Sequence, residues 1–280
     1  MNIVIVGLGV IGGSFAMALK SAGYQYVYGV DINEETLKKA KELEIIKDGC
    51  TTGKSFLEKA DLTIICIYPK LLIDFIKKNK NHFKIGSIIT DTTGIKGMFI
   101  NDILDIIPDD VDFVFGHPMA GREKKGIDFA TNEVFKGANY IITPIETNKE
   151  KNIKIIEDLV LKIGFKRVRR ITPEFHDEMI GFTSQLPHAM AVALINSDEE
   201  GRDTGSFIGD SYRDLTRIAN INEELWSELF LGNKDNLLKA INKFEIELDF
   251  IKKAIYDDDK EILTKIFKKS TERREKLEKN

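Results

Sequence analysis

Apolar residues follow two rhythms along the chain, and the rhythm changes once. Up to about residue 170, short runs rich in β-branched residues recur: Ile3 to Val6, Tyr26 to Val30, Leu62 to Ile67, Ser87 to Thr90, Phe113 to Phe115, Tyr140 to Thr143 and Arg167 to Ile171. Runs of this length and composition predict strands. Between them, Ser14 to Ala22, Glu34 to Leu43, Leu71 to Lys78 and Ile153 to Ile163 have helical spacing. Strand–helix alternation predicts an α/β fold with a parallel sheet covered on both faces. After Ile171 the pattern is helical only. Thr172-Pro173-Glu174 is a helix start, with a hydroxyl N-cap, Pro at the first helical position and an acid in the first turn. Leu237, Ile241, Phe244, Leu248, Ile251 and Ile255 step by four and three, one apolar stripe on a long helix. From Lys252 onward charges crowd a few apolar positions, which predicts a solvated helix that frays at its end. The change of rhythm sets an expected boundary: an α/β domain over residues 1–171 and an all-helical domain over residues 172–280.

The glycines add chemistry. Gly7-Leu8-Gly9-Val10-Ile11-Gly12 follows the first strand and opens a helix, the context a dinucleotide fingerprint requires. Gly7 permits the tight turn, Gly9 lets a pyrophosphate approach the backbone, and Gly12 lets helix and strand close together. Asp31 ends the second strand about 20 residues on, where its carboxylate accepts from ribose hydroxyls and repels a 2′-phosphate, so NAD is expected over NADP. Tyr68 and Pro69 lie at the same carboxyl edge, as residues flanking the cofactor or else as an ordinary turn, and the stretch Asp91-Thr92-Thr93-Gly94-Ile95-Lys96 is expected to open onto the same crevice. This is a Rossmann-type arrangement.

Four histidines are available as bases. His117, in Gly116-His117-Pro118-Met119-Ala120-Gly121-Arg122-Glu123, is placed in a loop at that edge, where a group titrating near neutrality can take a proton while hydride leaves the same carbon. His188 follows Ser184-Gln185-Leu186-Pro187, and the proline kink is expected to turn Ser184 and His188 toward a pocket. His82 and His176 lie among charges and read as solvated. Arg213 and Arg217, with Asp214 between them, put two guanidiniums one turn apart, a candidate clamp for an anionic substrate, or else an exposed charge cluster. Trp226, the one tryptophan, is either a core anchor or a pocket wall. His117 with Glu123 lacks a third metal ligand at workable spacing, so no metal is expected.

Composition narrows the classes. With 41 Lys+Arg against 45 Asp+Glu, the chain has no global positive field to hold nucleic acid or an anionic membrane. No apolar run approaches the roughly 20 residues of a membrane helix, and the N-terminus has no basic segment or cleavage site. Cys50 and Cys66 are too few for a disulfide framework, which fits a reducing cytoplasm.

Together, Gly7-x-Gly9-x-x-Gly12, Asp31, Asp91-Thr-Thr-Gly-x-Lys96, Gly116-His-Pro-Met-Ala-Gly121 with Glu123, Ser184-x-Leu-Pro-His188 and Tyr212-Arg-Asp-x-Thr-Arg217 resemble the prephenate dehydrogenase family of tyrosine biosynthesis. The resemblance runs in order to about Trp226. It implies a Rossmann domain followed by a helical dimerisation domain, a homodimer, and NAD-dependent oxidative decarboxylation of prephenate to 4-hydroxyphenylpyruvate. By that likeness His117 matches the catalytic His and Arg217 the Arg that binds a substrate carboxylate. His188 matches a pocket His, and Glu123, Asp214 and Trp226 match residues lining or gating the pocket. Many members carry Ser where this chain has Gly94, leaving Thr93 or Thr92 as the candidate hydroxyl. Arogenate dehydrogenase is an alternative in the same class, and an NAD sensor without turnover is one in another. The β-hydroxyacid dehydrogenases share the plan, but their usual catalytic Lys has no evident counterpart here.

Overall fold

The computed structural model describes residues 1–121 and 124–278. By its internal contacts the chain divides into two compact units, Met1–Asn233 and Lys234–Asn280.

The first unit is built on an eight-stranded sheet of order β3-β2-β1-β4-β5-β6-β7-β8. The strands are β1 (Ile3–Val6), β2 (Val27–Val30), β3 (Asp48–Cys50), β4 (Leu62–Ile65), β5 (Ile88–Asp91), β6 (Asp112–Pro118), β7 (Asn139–Thr143) and β8 (Arg167–Arg170). The helices among them are α1 (Val10–Ser21), α2 (Glu34–Glu42), α3 (Lys54–Leu57), α4 (Pro69–Asn79), α5 (Ile100–Leu104) and α6 (Glu150–Lys162). Alternate residues of a strand feed opposite faces: Ile3 and Ile5 join one core with Phe15, Leu19 and Ile156, whereas Val4 and Val6 join a second with Leu72, Ile76 and Phe113. This double burial is why β1 reads as an unbroken apolar run.

Two departures from the expected sheet bear on the site. β3 had no apolar run to announce it: Asp48–Cys50 pairs with β2 at the sheet edge through backbone bonds alone. β6 is longer than its Phe113 to Phe115 signal because it changes partner partway. Ile88, Ile89 and Thr90 of β5 oppose Asp112, Phe113 and Val114 in parallel, and β7 then opposes Phe115 to Pro118 antiparallel. The sheet is therefore mixed, and His117, expected in a loop, lies within β6 opposite Ile141.

Past β8 the unit continues as α7 (Pro173–Ile180), a π-helical turn over Gly181–Gln185, α8 (Leu186–Asn196), α9 (Asp210–Thr216) and α10 (Glu223–Gly232). The Thr172 hydroxyl accepts from the Phe175 N–H, the N-cap its sequence predicts. α10 returns to the sheet, where Leu229 is buried in the second core and Leu225 and Trp226 pack against it.

The second unit is α11 (Lys234–Tyr256) and α12 (Lys260–Glu278), turning through Asp258 in the left-handed region at φ 51°. Leu248 and Ile255 of the α11 stripe stay exposed in the single chain. Among the described residues no helix is long and apolar enough to cross a membrane.

Candidate active site

A cleft of about 590 Å3 opens at the carboxyl edge of the central strands, a volume ordinary for a small-molecule site. One side of it is the glycine turn. Gly7 sits at φ +83°, and a Cβ on Gly12 would lie 1.8 Å from the Gly7 carbonyl oxygen, so α1 can meet β1 only without that side chain. In front of Gly9 there is open space: a Cβ there would meet nothing within 4 Å. The first bond of α1 runs from Gly13 N–H to Gly9 O, so the amides of its first turn face outward beside that space, as at any helix N-terminus. Gly9, Val10 and Ile11 line the cleft. These residues fit the pyrophosphate of a dinucleotide.

Leu8 has a different role from the one its motif position suggests. Its side chain is buried, and its N–H donates to Asp31 Oδ2 at 2.7 Å. Asp31 also accepts from Asn33 N–H at 2.9 Å, so two of its lone pairs hold the β2–α2 turn against the glycine turn. Tyr68 and Pro69 line the cleft at the start of α4, and the Tyr68 hydroxyl accepts from Asn222 Nδ2 at 2.8 Å, which ties α4 to the start of α10.

Thr92, Thr93 and Gly94 form the floor. The Thr93 hydroxyl is turned away from the cleft, hydrogen-bonded to Asp91 and to the Ile95 carbonyl, which corrects the expectation that it serves the substrate. The Thr92 hydroxyl points back toward Ile65 O at 3.4 Å. Beneath them Lys96, 0% exposed, donates from Nζ to Asp91 Oδ2 at 2.6 Å and to Gly116 O at 2.6 Å. Burial lowers the Lys96 pKa and the Asp91 carboxylate opposes that shift. Asp91 Oδ1 accepts from the Gly116 N–H, so both polar groups of the residue before His117 are fixed by this buried pair.

His117 stands on that base and lines the cleft. Its Nδ1 lies 2.9 Å from Nε2 of His176, and Nδ1 of His176 lies 2.7 Å from Asp177 Oδ1. His176 is 0% exposed, so the expectation of a solvated residue is corrected. Burial first, then the neighbouring His176 and the Lys96 ammonium, hold His117 well below the usual histidine pKa, which leaves it neutral and able to accept a proton. The sequence does carry a signal for His176: His176, Ile180, Ser184 and His188 are spaced by four, which puts His176 on the helix face of two candidate pocket residues. Flanking charges concealed it.

The far wall comes from the helices. Ser184 and His188 line it, as expected from the Pro187 kink, and the π-helical turn before Pro187 is the local irregularity. His188 Nδ1 lies 2.9 Å from Ser184 O. Trp226 lines the cleft and also packs on the second core. Arg217 lines the cleft from the turn after α9. Arg213 does not: it is 61% exposed and pairs with Asp210 at 2.6 Å. Asp214 is also exposed and outside the lining. Of the expected pair, Arg217 alone lines the cleft, because α9 ends at Thr216 and the tighter turn beyond it separates the two directions. Glu123 lies outside the described residues. Lys124 and Lys125, not singled out from the sequence, also line the cleft.

Comparison with known proteins places this geometry. The model of the family described as "Prephenate dehydrogenase, nucleotide-binding domain" matches residues 15–169, and "Prephenate dehydrogenase, dimerization domain" matches residues 172–269. The prephenate dehydrogenase of Bacillus subtilis is 29% identical over 99% of this chain and 76% of its own length. A crystal structure of prephenate dehydrogenase from Aquifex aeolicus, in complex with hydroxyphenyl propionate and NAD+, superposes with a TM-score of 0.90 at 32% identity, covering 99% of this chain and 98% of that one. Synechocystis arogenate dehydrogenase superposes at 0.83 with 27% identity, covering 99% of this chain and 100% of that one. With both family models matched in sequence order and the same fold along nearly its whole length, the chain belongs to the prephenate dehydrogenase family.

Proposed function

We propose that this chain catalyses the NAD-dependent oxidative decarboxylation of prephenate to 4-hydroxyphenylpyruvate. The observation that carries the reading is the single cleft onto which the Gly9–Ile11 amides, His117 and Arg217 all open. NAD, when bound, supplies the hydride acceptor. The glycine turn holds its pyrophosphate, Asp31 its ribose, and Tyr68, Pro69 and Thr92 flank it. His117 accepts the ring hydroxyl proton as hydride leaves the same carbon. Loss of the ring carboxylate as CO2 then aromatises the ring, and the proton returns from His117 to the phenolate oxygen, so the net reaction releases none. Arg217 holds a substrate carboxylate and, with Ser184, His188 and Trp226, orients the ring.

Prephenate is preferred over arogenate on charge. Among the described residues the lining contains Lys124, Lys125 and Arg217 and no carboxylate, a charge balance that suits the dianionic prephenate better than arogenate, whose ammonium group offsets one carboxylate. In this reading residues 1–171 carry the nucleotide and residues 172–280 the substrate and dimer contacts, supported by the change from strand–helix alternation to helices alone. Exposed apolar residues on α11 favour a homodimer. Cys50 and Cys66 are both free thiols, consistent with work in the cytoplasm.

The test is reduced-nicotinamide formation with prephenate and with arogenate, each with NAD and NADP, on the wild type and His117→Asn. Turnover with prephenate and NAD, lost in the variant while NAD still binds, is the expected result. Equal or greater kcat/KM with arogenate overturns the substrate assignment, and full turnover by the variant overturns the base.

A further inference from the structure

His117 is not an isolated base. His176 and Asp177 stand behind it in a line, and their geometry dictates where its protons lie. Asp177 receives the Lys96 N–H at 2.9 Å on Oδ1 and the Gly97 N–H at 2.7 Å on Oδ2. Both carboxylate oxygens thus face backbone donors, which leaves the His176 ring to donate from Nδ1 across its 2.7 Å contact. A neutral imidazole that donates from Nδ1 can only accept at Nε2. His176 is neutral by virtue of its burial, which lowers its pKa against the opposing pull of Asp177. The proton in the 2.9 Å contact with His117 therefore belongs to Nδ1 of His117. That leaves Nε2 of His117 bare, 3.8 Å from where a Cβ on Gly94 would stand on the cleft floor.

We propose that His176, anchored by Asp177, is a positioning residue that holds His117 in the Nδ1–H tautomer, so that the nitrogen facing the cleft is always the one with a lone pair. This rests on the reading of His117 as the base. The groups facing the two rings are consistent with it. From β5 and the turn after it come the paired Asp91 and Lys96, from α7 come His176 and Asp177, and from β7 the buried Tyr140 approaches Gly116. Lys96 opposes a second positive charge on His117, whereas Asp177, one ring further away, compensates it when the proton arrives. The arrangement binds the proton transiently and releases it to the product. In water the neutral histidine side chain favours the opposite tautomer, so without His176 the cleft nitrogen of His117 would carry the hydrogen in the larger share of molecules.

Two measurements test this. Nitrogen-15 NMR of histidine-labelled wild type reads each ring nitrogen as protonated or bare, with His117→Asn assigning the signals. The expected result is His117 protonated at Nδ1 and bare at Nε2, and the reverse overturns the proposal. In kinetics, His176→Leu removes the acceptor and should lower kcat about 10- to 100-fold, with KM for NAD unchanged and the acid limb of the kcat profile displaced. His176→Gln places an amide oxygen near the position of Nε2 and should recover most of the loss, which a purely structural role would not produce. A leucine variant with wild-type kcat and pH profile, or a glutamine variant no better than leucine, overturns the proposal. Should the leucine variant not fold, the wild-type spectrum and the glutamine variant still decide it. Failure of the wild type to turn over prephenate or arogenate would sink the base reading instead, while the tautomer is read from the spectrum alone.

Discussion

The imidazole of His188 lies stacked on the indole of Trp226, ring centroids 3.6 Å apart and planes 28° from parallel. Trp226 is itself braced edge-on by Phe230, with centroids 5.7 Å apart. The indole therefore holds His188 in place at the cleft wall while its inner edge stays in the core. An aromatic stack of this kind is worth about 0.5–1.5 kcal/mol beyond area burial. Trp226→Leu should lower kcat/KM for prephenate roughly 3- to 10-fold, and Trp226→Phe should lose less. Steady-state kinetics check both. Because Trp226 is the one tryptophan, its fluorescence in the wild type should change on saturation with a substrate analogue.

Arg217 and Arg213 differ in surroundings although one helical turn separates them in sequence. A hydrogen bond to a charged group contributes about 1.5–3 kcal/mol, so Arg217→Ala should raise KM for prephenate by roughly 10- to 100-fold with NAD binding intact. Arg213 is held in an exposed pair with Asp210, of a kind worth about 0.2–1 kcal/mol. Arg213→Ala should leave the kinetic constants within about twofold and shift stability slightly. Equal losses in the two variants would restore the double clamp.

The pH dependence has a definite sign. His117 and His176 both have pKa values lowered in the folded chain, whereas in the unfolded chain each titrates near the ordinary histidine value of about 6.5. Between the folded and unfolded values the unfolded state holds more protons, so stability rises with pH there. The folded state is fully favoured above about 6.5 and loses stability as pH falls toward the folded values. Thermal midpoints should therefore drop on acidification through this window, and His117→Asn should flatten the drop. Activity follows the same direction, because the neutral base persists below the usual histidine range.

The two glycines of the turn separate folding from binding. At Gly12 an added methyl group meets the Gly7 carbonyl oxygen at 1.8 Å, a backbone atom that cannot step aside without opening α1 from β1. Gly12→Ala should cost about 3 kcal/mol or more and appear as a lower melting temperature or insolubility. At Gly9, with φ −70°, the methyl group meets nothing. Gly9→Ala should melt like the wild type yet bind NAD at least roughly tenfold more weakly, because the methyl group stands where the pyrophosphate approaches. Calorimetry with and without nucleotide distinguishes them.

These contrasts show what a sequence carries. The turn at Gly7–Gly12, the strand ending in Asp31 and the N-cap Thr172 are local patterns with local causes, and they were legible. β3 was not, because Asp48–Cys50 joins the edge of the sheet through its backbone and has no apolar signature. His117 is recognisable as a base, but the local pattern places it in a loop, since the antiparallel partner that extends β6 lies more than twenty residues downstream. His176 and Asp177 were hidden by a different logic. Polar residues on the buried face of a helix look solvated in a linear pattern, and only their partners across the fold, His117 and the Lys96 and Gly97 amides, explain their burial. Such conflicts between local pattern and burial gather at working sites.

Gly94 offers the remaining prediction. Its backbone lies outside the left-handed region, and a Cβ there would stand 3.4 Å from Leu229 Cδ2 and 3.8 Å from His117 Nε2, both ordinary contacts. Serine therefore fits without displacing the floor, and its hydroxyl, one bond further out, comes within hydrogen-bonding reach of the bare nitrogen of His117. The Thr93 hydroxyl, bonded to Asp91, cannot serve there. Gly94→Ser should melt like the wild type and add a hydroxyl that orients the substrate oxygen toward His117, raising kcat/KM by roughly 2- to 10-fold, the range of one neutral hydrogen bond. Gly94→Val has the same Cβ but no hydroxyl and should lower kcat/KM by crowding the floor. If both substitutions lower it alike, steric volume governs this position and the hydroxyl does nothing.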